Sequence, residues 1–254
     1  MGALDGRVTV ISGSSSGSGL GIARRFADEG AHVVMLARNK ERLDAVAGGL
    51  GEQAVPIATD VCDPDSVRAA FGEVAERFGQ VDVLVNNAAV YRPCAVEDLD
   101  DAEITQQVAT NFLGPVYTSR AAIPLLRAAG GGDIVNTSSE STLHPFPMLS
   151  MYVSTKAALE AFGQVLAQEV RDDDIRVTTV VQGTAVGAGG GATGWAWDPD
   201  HTAAAMALWN ERGLLSQVLG RYGGQSVEDI GEVHLFIVTR PRTQKLDTVH
   251  VRSF

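Results

Sequence analysis

The chain has 254 residues, 45% apolar and 20% charged, which is enough for one α/β domain with a full core. A net charge of −11 sets it against phosphate backbones and anionic lipid surfaces, so neither nucleic acid nor a membrane is an expected partner. Its two cysteines, Cys62 and Cys94, form neither a metal-type spacing nor a disulfide framework, so no metal is expected.

The opening MGALDGRVTVIS carries an acid and an Arg within its first seven residues and no signal-type apolar stretch, so a cytoplasmic location is expected. VTVIS (8–12) is a short β-branched run that reads as a strand buried on both faces. It leads directly into SGSSSGSGLG and a helical stretch. Glycines there let the backbone approach a diphosphate, and the helix start offers free N–H groups and a positive dipole end. The candidate contacts are Gly13, Ser15, Ser16, Gly17, Ser18 and Gly19.

HVVML (32–36) is the second strand and runs into Ala37 and Arg38. An NAD protein would place a carboxylate here, about twenty residues beyond the glycines, on the ribose hydroxyls. The planar fork of Arg38 suits a 2′-phosphate instead, which favours NADP. NAD stays possible if Arg38 is only a solvated helix-start residue.

AVPIA (54–58), VDVLV (81–85), DIVNTS (133–138) and IRVTTVV (175–181) continue the strand series. Between them lie amphipathic stretches such as SVRAAFGEVAERFG and one long helix expected over about 102 to 129. This alternation predicts a single α/β domain over 1–254, a Rossmann-type doubly wound parallel sheet with helices on both faces. Ligands would sit beyond the carboxyl ends of the strands. The rhythm breaks at about 184–225, a glycine-rich and then Trp-containing stretch (Trp195, Trp197, Trp209) that reads as a substrate loop.

SMYVSTKAALEAF (150–162) places Tyr152 and Lys156 one helical turn apart. Taken alone, the spacing is better explained by a surface Lys beside a half-buried Tyr. Chemically, a carbonyl that receives hydride develops negative charge on oxygen and needs a proton donor and hydrogen bonds. Tyr152 is the natural donor, and a nearby ammonium would favour its phenolate and pull its pKa down.

Taken in order, these motifs resemble those of the classical short-chain dehydrogenases/reductases across nearly the whole chain. The turn S-G-S-S-S-G-S-G resembles the family's T-G-x-x-x-G-x-G, and Asp60, with Val61 beside it, resembles the adenine-contacting Asp. N-N-A-A (86–89), which includes Asn87 and Ala88, resembles N-N-A-G, and Asn111, Ser139, Tyr152 and Lys156 match the catalytic tetrad. The resemblance implies an NADP-dependent alcohol dehydrogenase or carbonyl reductase, active on a small-molecule carbonyl or alcohol and built as a homo-tetramer or homo-dimer. In it Tyr152 is the acid/base and Ser139 orients the substrate oxygen. Lys156 lowers the Tyr152 pKa and binds the nicotinamide ribose, and Asn111 holds a water leading to Lys156. Gly183 and Thr184 are further cofactor contacts. His144 and Trp195, with Ser139 and Tyr152, are expected to line an apolar substrate pocket suited to a hydrophobic or cyclic ketone or alcohol.

Four features depart from the family pattern. Ser18 stands for the usual Ile, Gln182 for the Pro of a P-G pair and Gly187 for a Thr, and the tail VTRPRTQKLDTVHVRSF lacks a terminal glycine pair. They motivate the alternative of a dinucleotide-binding sensor or scaffold without turnover, against which the intact tetrad argues.

Overall fold

The computed structural model describes residues 2–186 and 198–254. The first half alternates strictly: β1 (Val8–Ser12), α1 (Gly17–Asp28), β2 (His32–Ala37), α2 (Lys40–Gly48), β3 (Ala54–Ala58), α3 (Pro64–Phe78) and β4 (Val83–Asn86). All five residues of β1 are buried, as a central strand covered on both faces requires. Local chemistry marks the helix ends. Asp63 caps α3 with Pro64 directly behind it, and Gly79 closes that helix in the left-handed conformation.

The second half runs through α4 (Asp101–Val108), a π-helical turn (Ala109–Leu113), α5 (Gly114–Ala128), β5 (Gly132–Ser139), α6 (Ser150–Glu169) and β6 (Ile175–Gln182). The long helix expected over 102–129 is therefore interrupted at Asn111. Pro115 has no N–H to give the Asn111 carbonyl, and the Gly114 N–H reaches back to the Ala109 carbonyl, which widens the turn.

Then come β7 (Ala185–Val186), α7 (Pro199–Glu211), α8 (Leu214–Leu219), β8 (Gln225–Ser226), α9 (Val227–Val238) and β9 (Thr248–Val251). The main sheet is parallel, with order β3-β2-β1-β4-β5-β6-β9, and β7 pairs with β8 separately. It is the doubly wound α/β sheet expected of the sequence, extended by one strand from the tail. That strand, TVHV, alternates exposed and half-buried positions, so it lacks the continuous burial that marks the central strands.

One core lies between the sheet and α1, α2 and α9, with Ile22, Phe26 and Ile230 at its centre. The other, around Phe71, Leu126 and Leu166, lies under α3, α5 and α6. A third cluster of Phe146, Leu149, Ala205, Trp209 and Val218 packs α7 and α8 against the segment before α6. Among the described residues no helix is long and apolar enough to cross a membrane, and no group of acidic, His and Cys side chains is placed to hold a metal.

His234 on α9 is fully buried, with Nδ1 at 2.8 Å from the Ile230 carbonyl and, among the described residues, no partner for Nε2. Burial lowers its pKa from 6.5 to about 4. Between those values the unfolded chain binds a proton that the native chain refuses, so stability falls on acidification. From pH 7 to pH 4 this one group accounts for roughly 3 kcal/mol, and His234→Leu removes that difference in urea melts run across the range.

Candidate active site

A cleft of about 910 Å³ runs along the carboxyl ends of β1 to β6, where the strand order reverses between β1 and β4. At its centre is the glycine turn. Gly13 has φ 68°, and a Cβ there would meet the Ala88 Cα at 2.8 Å. The Ser12 hydroxyl accepts the Asn87 and Ala88 N–H groups at 3.0 and 3.1 Å, which fixes the loop after β4 against the turn. Ser16 leads into α1 without a side-chain cap, so among the described residues no side chain takes up the N–H groups of the first turn.

One end of the cleft is cationic. Arg38 and Arg42 line it together with Asn39, and the Asn39 side chain caps α2 by accepting the Arg42 N–H at 2.9 Å. Asp60 and Val61 follow on the same side, with Asp60 oriented by accepting the Cys62 N–H at 2.9 Å.

At the other end, α6 brings Tyr152 and Lys156 to the end of β5, which carries Ser139. The Ser139 hydroxyl hydrogen-bonds the Tyr152 phenol and accepts from the Ser141 hydroxyl at 3.0 Å. Lys156 Nζ donates to the Thr137 carbonyl at 2.6 Å and lies 5.7 Å from the centre of the Tyr152 ring. Tyr91 packs its ring 5.3 Å from that of Tyr152.

Burial pushes the Tyr152 phenol up to about 12, against the pull of the Ser139 hydrogen bond. This reverses the expectation that Lys156 holds it down: the phenol is desolvated, and the ammonium is bonded to the Thr137 carbonyl. Burial also lowers Lys156 to about 8, with Glu160 opposing the change.

Residues 7–188 match the family described as short chain dehydrogenase. The chain belongs to that family. An oxidoreductase of Botryotinia fuckeliana is 39% identical over 178 residues, covering 70% of this chain and 65% of its own length. The chain thus spans just under two thirds of that relative. An uncharacterized oxidoreductase of Methylorubrum extorquens is 34% identical over 244 residues, or 94% of this chain and 93% of that one. The crystal structure of L-sorbose reductase from Gluconobacter frateurii, complexed with NADPH and L-sorbose, superposes with a TM-score of 0.83 at 31% identity, covering 99% of this chain and 97% of that one.

In this short-chain dehydrogenase the cleft is lined by Gly13, Ser15, Ser16, Gly17 and Ser18 from the turn and by Asn87, Ala88, Gly183 and Thr184 from the later strand ends. Gly19, expected among the contacts, lies behind them. A Cβ there would stand 2.4 Å from the Gly13 oxygen and 2.5 Å from Asn87 Nδ2, so its role is to let α1 tuck under the turn. Asn111 is also out of the cleft and fully buried. Its amide donates to the Val90 carbonyl at 2.8 Å and to Thr155 Oγ1 at 3.1 Å and accepts the Val90 N–H, which stitches the loop after β4 to α6.

His144 does not line this cleft. The short turn Glu140–Thr142 carries it to a separate cavity of about 280 Å³ beside His250 and Arg252, and the chain returns to the cleft only at Phe146 and Leu149. Trp195 lies outside the described residues.

Arg42 and Glu140 also line the cleft and were not among the expected site residues. The spacing of Arg42 four residues after Arg38, across a helix start, was the available signal. Glu140 directly follows Ser139 and accepts the Thr184 N–H at 3.1 Å, and burial raises its pKa.

Proposed function

We propose that the protein is an NADP(H)-dependent oxidoreductase that interconverts a ketone or aldehyde with its alcohol on a small hydrophobic or cyclic substrate. The observation that carries this reading is that Ser139, Tyr152 and Lys156 line the same cleft as the glycine turn and the Arg38–Arg42 pair. The donor set fits the dinucleotide: two guanidiniums for a 2′-phosphate, Asp60 and Val61 for the adenine, and the backbone of the turn with the α1 start for the diphosphate. Gly183, Thr184 and Lys156 are left for the nicotinamide half. The NADPH complex of the similar L-sorbose reductase supports the same choice of cofactor.

When bound, NADPH supplies the hydride. The chain's own residues manage the proton. The Tyr152 hydroxyl holds it through the neutral range and passes it to the substrate oxygen, while Ser139 hydrogen-bonds that oxygen as its charge grows. Lys156 contributes positive charge beside the phenolate left behind, and the Thr137 carbonyl fixes its position. Phe146, Leu149, Trp209 and Val218 form the apolar wall that excludes water and selects a hydrophobic substrate. The described part of the 184–225 substrate loop supplies two of them, and the Trp209 indole N–H ties it down by donating to the Pro147 carbonyl at 2.8 Å. A cytoplasmic homo-dimer or homo-tetramer completes the reading.

The test is a panel of aliphatic, cyclic and aryl ketones and the matching alcohols, with NADPH or NADP and the cofactor absorbance followed over time. Turnover of the apolar members is expected. Tight NADPH binding with no turnover of any carbonyl or alcohol would favour a sensor or scaffold instead. A pH profile adds a second check: reduction falls as pH rises through about 8, where Lys156 loses its charge. In Lys156→Arg, which stays charged, that limb is absent from the remaining activity.

A further inference from the structure

Ser18 and Gln182, two of the departures from the family pattern, meet in space. Gln182 Nε2 donates to Ser18 Oγ at 3.0 Å across a sequence separation of 164 residues, and both side chains line the cleft. Ser18 is the second residue of α1 and Gln182 is the last of β6. The bond therefore straps the helix start assigned to the diphosphate to the strand end assigned to the nicotinamide.

Two details set the pair apart from ordinary packing. The amide occupies a lone pair of the Ser18 oxygen, so the hydroxyl proton points elsewhere, and among the described residues it is donated to no protein acceptor. In addition, Gln182 Oε1 is buried with no partner among the described residues. A half-paired buried amide is a cost that stability alone does not reward, and such local conflicts concentrate at functional sites.

We propose that Ser18 is a diphosphate-binding residue particular to this chain. Its hydroxyl donates to a diphosphate oxygen of NADP(H), and Gln182 is the positioning residue that turns the hydroxyl toward it. A donor aimed at an anionic oxygen makes a charge-assisted bond, and it adds to the backbone N–H groups already presented by the turn. This inference rests on the cofactor reading given above.

The test is a fluorescence titration of NADPH, with calorimetric titration of 2′-AMP alongside, on the wild type, Ser18→Ala, Gln182→Met and the double variant. 2′-AMP keeps the adenosine and its 2′-phosphate but lacks the diphosphate bridge. Ser18→Ala is expected to raise the Kd for NADPH roughly tenfold and Gln182→Met severalfold, as loss of a hydrogen bond to a charged group implies. The double variant is expected to bind no worse than Ser18→Ala, because Gln182 acts through Ser18. All four proteins are expected to bind 2′-AMP alike. NADPH binding unchanged in Ser18→Ala, additive losses in the double variant, or a parallel loss of 2′-AMP would each overturn the proposal. Failure of the wild type to bind NADPH would instead remove the cofactor reading beneath it.

Discussion

Tyr152→Phe lowers the kcat of carbonyl reduction about 1000-fold, a loss in the range that a positioned general acid supplies. The substitution removes one oxygen and leaves the ring. Phe keeps the contact with Tyr91, whose ring centre lies 5.3 Å away, so the apolar packing at the head of α6 is retained. What disappears is the proton on a phenol held near a pKa of about 12, hence fully protonated at neutral pH, and the oxygen that Ser139 hydrogen-bonds. Beside the lost oxygen remain the Ser139 hydroxyl, itself engaged with Ser141, and a Lys156 ammonium bonded to the Thr137 carbonyl. Neither is placed to replace the lost donor. The Kd for NADPH rises no more than a few fold, because the diphosphate and 2′-phosphate contacts lie elsewhere in the cleft. Stopped-flow reduction with a ketone from the panel, together with NADPH titration, separates the two effects. Turnover that survives the substitution unchanged would remove Tyr152 from the mechanism.

The same residues show where reading from sequence stops. Order and spacing were enough for the doubly wound sheet, since the central strands are short runs rich in β-branched residues and each connection is a helical one. The i, i+4 spacing was enough to pair Tyr152 with Lys156, and the resemblance to the family's tetrad added Ser139, which the structure places in the same cleft. The sign of the Tyr152 shift was not legible. It depends on how much water reaches the phenol and on which acceptor the Lys156 ammonium chooses, and both are set by packing from distant segments such as the one bearing Tyr91. His144 failed for a related reason. Its distance in sequence from Ser139 is small, but the turn at Glu140–Thr142 sends it toward β9, a strand that the tail does not announce. The partnership of Ser18 with Gln182 is equally hidden, since in the sequence they are two separate departures from the family pattern and nothing local connects positions 164 residues apart.

Arg38→Ala raises the Kd for NADPH about 100-fold and that for NADH no more than about threefold, since a bidentate pair with phosphate comprises two charge-assisted hydrogen bonds. Arg38 follows β2 at the point where the chain has Ala37 in place of a carboxylate, and Arg42 enters the same end of the cleft from the first turns of α2. Two guanidiniums there favour a dianionic 2′-phosphate strongly and an uncharged ribose hydroxyl little. Arg42 remains in the single variant, so some preference for NADPH persists, and it weakens with added salt as an exposed charge pair must. Loss of the guanidinium does not by itself create an NADH site, because the end of β2 carries Ala37 where a carboxylate would accept the ribose hydroxyls, and Asp60 on the same side is the residue assigned to the adenine. Adding Ala37→Asp to Arg38→Ala supplies one on the cleft wall and repels the 2′-phosphate, so the double variant binds NADH more tightly than the wild type does and NADPH more weakly than the single variant. Parallel titrations of both cofactors on the three proteins decide the matter: equal losses for NADPH and NADH in Arg38→Ala would show that Arg38 supports the fold of the cleft and not the recognition of phosphate.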